Sequence, residues 1–398
     1  MRWKAAWRLA MIGAAMALSA GIAAGGVGDL EHVKVPLTSG VSMMCAARRT
    51  VNAGEAKEMG LKSPKAALLQ ETGPVRVALD AETAGGELNV VRVDTTGTGS
   101  FKAAVVIKSA VRKSGSTSTY GRIGPQVVEV RRGDRTVPVT VFGHYHGGGS
   151  SISGGVGLSV AAEGSCAFGN TTRKVRIVDG DGNLSFGDVA KPPFTAASLR
   201  GKADMVFVAD KDGQFAAVGD PPALLGQPVQ VDGAWYIVSV DGLKVSAAAS
   251  TAGTAKVTVG AAKWLCTLAG EKYFLTVSGG REPVELPADS YRVQRYRLSA
   301  AEEQPGLRGP TIYGYQSEKA VDLPAGRTTR LGIGSPIRAT IAATKNGGNV
   351  QFSLSQTDAA GSRIGTVMVA GGKRPPNPEV EVVNGEGSIV YTAKLEYG

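Results

Sequence analysis

Three aspartate-glycine segments carry the residue types that could do chemistry in this chain. Each consists of a strand-like run, an aspartate, a glycine-bearing turn and a phenylalanine, and the segments span residues 92–101, 176–188 and 206–215. Carboxylate, amide and hydroxyl oxygens that alternate along a tight loop can point at one centre. Because Ca²⁺ takes about six to eight oxygen ligands, calcium binding is the chemistry that these segments predict.

The second segment holds the largest set of oxygen ligands. Three side chains fill alternate positions of an Asp-x-Asp-x-Asn pattern, and a hydroxyl and a further carboxylate follow. The predicted calcium ligands of this loop are Asp179, Asp181, Asn183, Ser185 and Asp188. The loop departs from the helix-loop-helix calcium template, because Leu184 stands where that template has glycine and Ala190 where it has a bidentate glutamate.

The other two segments offer fewer ligands. The third supplies Asp210 and Asp212, whereas the first has Thr96 in place of its second acid. A reading without metal is also open for all three segments. Aspartate caps its own backbone and glycine accepts positive φ, so both are the residues that tight turns need.

The distribution of charge fits either reading. The chain has 398 residues and a net charge of +10, yet residues 179–241 contain nine aspartates, no glutamate and four basic residues. Such an acidic segment within a basic chain would follow from cation loops or from aspartate-rich turns. The remaining basic residues are scattered, and the absence of a concentrated basic patch in the sequence argues against nucleic acid as a partner.

The first 24 residues predict a secretory signal peptide. Arg2, Lys4 and Arg8 form a basic start, an apolar alanine-rich stretch follows, and small residues precede Asp29. This order is typical of an export signal, with cleavage expected after residue 20, 23 or 24. A retained membrane anchor is the alternative. We therefore expect an exported mature chain without a transmembrane span, located in the periplasm, at the cell surface or outside the cell.

Two further groups of side chains could bind a ligand. His144 and His146 lie two residues apart, which could hold a transition metal or mark an exposed strand end. Trp235 and Tyr236 are adjacent and must point to opposite faces of a strand. An exposed aromatic ring there could stack on a sugar, and the alternative is that it covers a sheet.

Several catalytic signatures are absent from the sequence. The chain has no nucleophile elbow, phosphate-binding loop, dinucleotide fingerprint or His-Glu-x-x-His motif. Cys45, Cys166 and Cys266 allow at most one disulfide, and their pairing is left open. No carboxylate pair for glycoside hydrolysis stands out. We therefore expect no catalytic machinery.

Alternation of apolar and polar residues predicts an all-β protein. The pattern is clearest in five segments, at 75–79, 135–141, 174–178, 291–298 and 349–354. Period-two alternation is typical of half-buried strands, whereas helical periodicity is confined to 53–62 and 299–304. The glycine- and serine-rich run 147–157 predicts a long hairpin loop or a linker.

The expected architecture is two or three antiparallel β-sandwich-like domains in tandem after the signal peptide. We place the boundaries at 1–24 for the signal, 29–165 for an N-terminal β domain, 166–260 for the aspartate-loop domain and 261–398 for the C-terminal part. Turn residues at regular spacing between short strands support this class.

The order of these motifs resembles that of a group of uncharacterised exported bacterial proteins. Those proteins are rich in β-strands and carry repeated Asp/Asn-Gly loops, and their last strand often ends in Glu-Tyr-Gly, as Glu396, Tyr397 and Gly398 do here. The resemblance covers residues 75–250 loosely, together with the C-terminal residues. It implies export and β-structure but no particular activity.

The sequence thus predicts a non-catalytic structural or binding protein, with Ca²⁺ as the one cofactor to expect. The partner would be a component of the cell envelope or a glycan. A carbohydrate-binding or carbohydrate-active protein is the alternative from another functional class.

Overall fold

A computed structural model describes most of the chain. The described residues are 27–34, 43–46, 49–63, 66–70, 75–114, 118–148, 151–195, 203–215, 222–299, 311–315, 317, 319–334, 336–368 and 373–395. The predicted signal peptide at 1–24 and the C-terminal Glu-Tyr-Gly lie outside them. The described residues form two compact units, which divide between Ser250 and Thr251.

The prediction of an all-β class is confirmed. Apart from one short helix, the regular structure of the described residues consists of strands that pair almost entirely antiparallel. All five segments with clear alternation coincide with strands. The strands at 174–178 and 291–298 alternate buried and more exposed residues, as half-buried strands do, whereas the strand at 76–81 is buried on both sides.

The first unit contains two large sheets and the helix α1 (Ala53–Met59). Its strands are β1 (Gly28–Val33), β2 (Met43–Ala46), β3 (Arg49–Thr50), β4 (Ala67–Gln70), β5 (Arg76–Ala81), β6 (Leu88–Asp94), β7 (Val105–Ser114), β8 (Ser118–Arg132), β9 (Arg135–Gly148), β10 (Ser151–Ser159), β11 (Ala161–Phe168), β12 (Thr171–Val178), β13 (Met205–Val208), β14 (Ala223–Leu224), β15 (Pro228–Val231), β16 (Ala234–Asp241) and β17 (Lys244–Ala249).

The two sheets of the first unit differ in how their strands are ordered. One sheet has the order β2-β10-β9-β8-β7-β6-β5-β4-β3, so most of its neighbours are also sequence neighbours joined by hairpins. The other has the order β14-β13-β12-β11-β1-β17-β16-β15, in which β1 joins two meanders. The predicted boundary between residues 165 and 166 falls within β11.

The second unit contains one large sheet and two small ones. Its strands are β18 (Thr254–Thr258), β19 (Lys263–Ala269), β20 (Phe274–Gly279), β21 (Val284–Pro287), β22 (Asp289–Ser299), β23 (Thr311–Tyr315), β24 (Val321–Leu323), β25 (Thr328–Arg330), β26 (Arg338–Asn346), β27 (Asn349–Thr357), β28 (Arg363–Met368), β29 (Glu379–Val383) and β30 (Ile389–Lys394). The largest sheet follows the order β20-β19-β22-β23-β28-β27-β26, with β24 paired to β22.

One hydrophobic core joins both sheets of the first unit. Leu79 and Val139 reach it from one sheet, and Ile177 and Val245 reach it from the other. Burial of an aliphatic side chain of this size contributes about 1.5–3 kcal/mol relative to exposure. This shared core gives the first unit the sandwich-like character that the alternation predicts.

The helix α1 forms where its two ends are capped. The side chain of Asn52 accepts a hydrogen bond from the backbone N–H of Glu55 at 2.9 Å, and Gly60 ends the helix with φ of 79°. The buried carboxylate of Asp80 then accepts the backbone N–H groups of Lys62 and Ser63, which anchors the segment after the helix to β5. The helical pattern predicted at 53–62 is confirmed.

The prediction of a loop or linker at 147–157 was wrong. The described residues of this run continue β9 and form β10, which pairs with β9 from Gly148–Ser151 to Thr140–Ser159. Glycine serves packing here, because the ring of Phe142 lies over Gly157, where a Cβ would overlap it. A run of glycine and serine is therefore compatible with a loop and also with a strand whose glycines make room for an aromatic ring on the next strand.

A tyrosine over a glycine fixes the centre of the larger sheet. The ring of Tyr145 lies across Gly121 on the neighbouring strand, and its hydroxyl donates a hydrogen bond to the carbonyl of Leu88 at 2.7 Å. A Cβ at Gly121 would overlap this ring.

We expect Gly121→Ala to lower the free energy of unfolding of the first unit by about 1–3 kcal/mol, since the added methyl must displace a buried, hydrogen-bonded ring. Chemical denaturation followed by tyrosine and tryptophan fluorescence measures this change. Gly54→Ala is the control in the same unit, because its Cβ meets only Asn52 Oδ1 at 3.4 Å and alanine favours the helix. Equal stability of Gly121→Ala and wild type would contradict the packing argument.

Candidate functional site

The loop after β12 is built on the carboxylate of Asp179. This side chain is buried, and its Oδ1 accepts the N–H groups of Asp181 at 3.1 Å and Gly182 at 2.7 Å. Its Oδ2 accepts the N–H of Leu184 at 2.7 Å. Both oxygens therefore hold the backbone of the loop that follows them.

The loop after β6 repeats this pattern at the same spacing. Asp94 accepts the N–H groups of the residues two, three and five positions later, Thr96, Gly97 and Gly99, at 2.9, 3.2 and 2.7 Å. The residue three positions on is a glycine with positive φ in both loops, 70° in one and 76° in the other. The first and second aspartate segments are thus one kind of turn.

The two loops differ at the fifth position. Gly99 has φ of 84° in the first loop, and Leu184 occupies the equivalent position in the second with φ of 63°. A non-glycine residue in this region carries a strain of about 1–3 kcal/mol. Leu184 is buried in the core beside Phe186, and this burial offsets the strain.

A second buried carboxylate, from a residue outside the Asp179 loop, also accepts hydrogen bonds from the backbone of this loop. Asp204, which precedes β13, accepts the N–H of Gly180 at 3.1 Å, of Gly187 at 2.7 Å and of Asp188 at 3.0 Å. The backbone N–H of Asp204 also donates to the carbonyl of Asp188. The sequence reading missed Asp204, because its partners lie 16–24 residues away and no local motif marks it.

Burial makes these two carboxylates unusually weak acids. Burial raises the pKa of Asp179 to about 7 against the hydrogen bonds from Leu184 and Gly182, and the charges of Asp204 and Asp181 add to the rise. Burial likewise raises the pKa of Asp204 to about 6, with a contribution from the charge of Asp188. The loop thus brings together carboxylates that cannot all carry a negative charge without mutual repulsion. Protonation or a bound cation would reduce this repulsion.

The remaining predicted ligands of this loop each have a contact of their own. Asp181 accepts the N–H of Asn183 at 3.0 Å, and the amide nitrogen of Asn183 donates to Asp188 at 2.7 Å. Arg132 donates to the carbonyl of Asn183 at 2.6 Å and to the hydroxyl of Ser185 at 3.2 Å. A guanidinium therefore already lies against the backbone carbonyl of one predicted ligand residue and the hydroxyl of another.

The third predicted loop is a different and more exposed turn. Asp210 accepts the N–H groups of Asp212 at 2.9 Å and Gln214 at 2.8 Å, and the side chain of Asp212 is exposed. The same pattern, two and four positions on, occurs at Asn384 in the second unit, which accepts from Glu386 and Ser388. The Asn384 loop escaped the sequence reading because asparagine replaces aspartate, although the glycine before the last position was a visible signal.

Within the described ranges, no group of three or more His, Cys, Asp or Glu residues is arranged to hold a metal ion. The structure brings Asn183 and Asp188 into direct contact and places Asp179 and Asp181 within electrostatic range.

The other candidate side chains have clear positions. Trp235 is buried, and the half-buried Tyr236 packs edge-on against Phe168 with ring centroids 5.2 Å apart. His144 and His146 are both exposed on one face of β9. The tryptophan therefore belongs to the core, and the two imidazoles face solvent.

The described cysteines are buried thiols. Cys166 lies in the first unit and Cys266 in the second, and neither forms a disulfide. Burial raises the pKa of Cys166 to about 11, so this thiol stays protonated at neutral pH. The side chain of Cys45 lies outside the described residues.

Comparisons with protein-family models, with curated proteins and with solved structures find no match to this chain. No helix in the described part of the chain has the length and apolar character that crossing a bilayer requires.

We expect the stability of the first unit to fall as pH rises through the range from about 4 to about 7. The folded-state pKa values of Asp179 and Asp204 lie above the unfolded value near 4, so the folded state binds more protons in this range. Urea denaturation at pH 5 and pH 8 measures the difference, and Asp179→Asn, which cannot ionise, should make it smaller.

Asp212→Asn is the matched control for this experiment. It makes the same chemical change at an exposed carboxylate and should leave the difference between pH 5 and pH 8 as in wild type. If Asp179→Asn keeps the full wild-type difference, the buried carboxylate is not the source of the pH dependence.

Proposed function

We propose that this chain is an exported, non-catalytic structural or binding protein of the bacterial periplasm or cell surface. The observation that carries the proposal is the use of the buried aspartates, since Asp94, Asp179 and Asp204 engage both carboxylate oxygens with backbone N–H groups. A carboxylate held in this way stabilises a loop conformation and is poorly placed to exchange protons with a substrate.

Export is supported by the amino-terminal sequence. A basic start, an apolar stretch and small residues within the first 24 residues have the order of a secretory signal. The aspartate-glycine loops between strands also support a place in the group of exported β-rich proteins that the sequence resembles.

Calcium would act in this proposal as a stabiliser of the second aspartate loop. Its support is the cluster of carboxylates at Asp179, Asp181, Asp188 and Asp204, in which burial raises the pKa of the two buried members and the neighbouring negative charges add to the rise. A divalent cation bound to the carboxylates of the partly exposed Asp181 and Asp188 would offset the repulsion between the negative charges and couple its binding to local folding.

The alternative, a carbohydrate-binding protein, is supported by one surface of the first unit. The exposed face of β7, β8 and β9 presents the ring of Tyr120 among basic side chains. Such a face offers both an aromatic surface and hydrogen-bond donors to a sugar.

We expect the full chain, expressed in a Gram-negative host, to appear in the periplasm without its first 20, 23 or 24 residues. Intact-mass measurement of the periplasmic and cytosolic fractions identifies the cleavage, and a chain that lacks residues 1–24 is the control that should stay in the cytosol. A full-length mass confined to the cytosol or the membrane would contradict export.

We expect millimolar Ca²⁺ to raise the melting temperature of the first unit by roughly 2–4 °C for each kcal/mol of binding energy, and EDTA to reverse the rise. Differential scanning calorimetry of wild type and of Asp181→Asn/Asp188→Asn measures this, and the double variant should lose the response. Asp210→Asn/Asp212→Asn is the control for the third loop, and this variant should keep the response to Ca²⁺. An identical melting temperature in EDTA and in Ca²⁺ would exclude calcium while leaving export untouched.

A further inference from the structure

Five side chains on three neighbouring strands form a basic face on the first unit. The basic face consists of Arg112 on β7, Tyr120 and Arg122 on β8, and His144 and His146 on β9. The two arginines and two histidines are exposed, and the tyrosine is half-buried. The alternate residues Gly121 and Ile123 of β8 and Tyr145 of β9 are buried, so the alternation of the strands directs all five side chains to the outer side.

The register of the strands sets the five residues in two adjacent rows. Arg112 lies opposite Tyr120, and Tyr120 lies opposite His146. In the next row Arg122 lies opposite His144. With strands about 4.8 Å apart and a rise of about 3.4 Å per residue, the rows cover roughly 10 Å by 7 Å.

Ring contacts gather the histidines around the tyrosine. The centroid of Tyr120 lies 4.7 Å from that of His146 and 6.2 Å from that of His144. The two imidazoles lie 6.2 Å apart with their planes nearly perpendicular. Tyr120 is therefore the centre of the basic face, bordered on several sides by nitrogen donors.

The positive charge of the basic face is not neutralised within the described residues. Among them, neither Arg112 nor Arg122 forms an ion pair or donates a hydrogen bond. Further along β7, the outward-facing Lys108 differs, because its ammonium lies 2.7 Å from the carboxylate of Glu82. Exposed guanidinium groups without a carboxylate partner are suited to carboxylate, sulfate or phosphate groups of a ligand.

We propose that the basic face binds an acidic polysaccharide. Arg112 and Arg122 would pair with its anionic groups, His144 and His146 would donate hydrogen bonds, and the ring of Tyr120 would contact a sugar ring. The spread of the donors over two rows and three strands exceeds one small anion and fits a chain with repeated anionic groups. This assignment names the ligand class of the binding function proposed above and rests on that function.

A transition metal fits the basic face less well. The two imidazoles of a His-x-His pair can approach one metal ion, but Arg122 lies directly opposite His144 and places a fixed positive charge beside the site. The same charge attracts an anion. The neighbouring groups therefore favour a polyanion over a cation.

The experiment measures binding of the purified mature chain to labelled polygalacturonate and dextran sulfate, with neutral dextran as the uncharged probe. We expect binding of at least one acidic polymer at low salt, a loss of affinity as salt rises, and no binding of neutral dextran. Arg112→Gln/Arg122→Gln should weaken binding by about tenfold, and Arg112→Lys/Arg122→Lys should recover part of it.

Arg131→Gln/Arg135→Gln is the matched control. It removes the same two charges from exposed positions at the opposite end of the same strands, about 30 Å from Arg122, and should leave the affinity within twofold of wild type. Circular dichroism and melting curves of both double variants confirm folding. Tyr120→Leu tests the ring, and we expect it to weaken polysaccharide binding at unchanged salt dependence.

Three results would overturn the proposal. These are the absence of binding to both acidic polymers at low salt, equal affinity of wild type and Arg112→Gln/Arg122→Gln, and tighter binding of double-stranded DNA or of phosphatidylglycerol vesicles than of either polysaccharide. Signal-peptide cleavage and the response to calcium are measured independently of polysaccharide binding. Failure of this ligand class is therefore distinguishable from failure of the proposed function.

Discussion

A carboxylate that leaves water must accept hydrogen bonds, and backbone N–H groups meet much of this requirement throughout the described chain. Both units contain buried or half-buried aspartates whose oxygens accept amides from a loop beside them, at Asp80, Asp94, Asp179, Asp204, Asp289 and Asp358. Loss of such a bond leaves a polar group unsatisfied, at a cost of about 1–3 kcal/mol. The paths of many loops between strands therefore depend on a few acidic side chains, and the high glycine content supplies the conformations that let the amides reach them.

The sequence predicted the strands because alternation reports directly which side of a strand is buried. It also located Asp179 and Asp210 correctly in turns, since aspartate caps its own backbone and a nearby glycine accepts positive φ. It could not show where the carboxylates point. Both carboxylate oxygens of Asp179 accept N–H groups of its own loop, and the amide nitrogen of Asn183 rather than its oxygen faces Asp188. The orientation of the Asn183 amide follows from the N–H of Ser185, which donates to its oxygen. The loop also receives Arg132, which comes from a hairpin about 50 residues earlier.

Partners that lie far apart in sequence account for the rest of what was missed. Asp204 matters because β12 and β13 pair, which brings its carboxylate beside Gly180. Tyr120 meets His146 only through the register of β8 and β9, and a shift of one residue would send these side chains to opposite faces. The glycine-serine run was misread for a related reason, because the ring of Phe142 that explains Gly157 belongs to the neighbouring strand.

The Asp94 and Asp179 loops share one turn, in which the aspartate is required for the shape and other side chains can differ. Its shape depends on one carboxylate and on main-chain N–H groups, which every residue except proline possesses. Where φ stays negative, the side chains of this turn are therefore open to substitution without a change in the path of the chain, as Thr96 in one copy and Asp181 in the other illustrate. Substitutions at these positions can therefore change the chemistry of the surface while the backbone of the loop keeps its conformation.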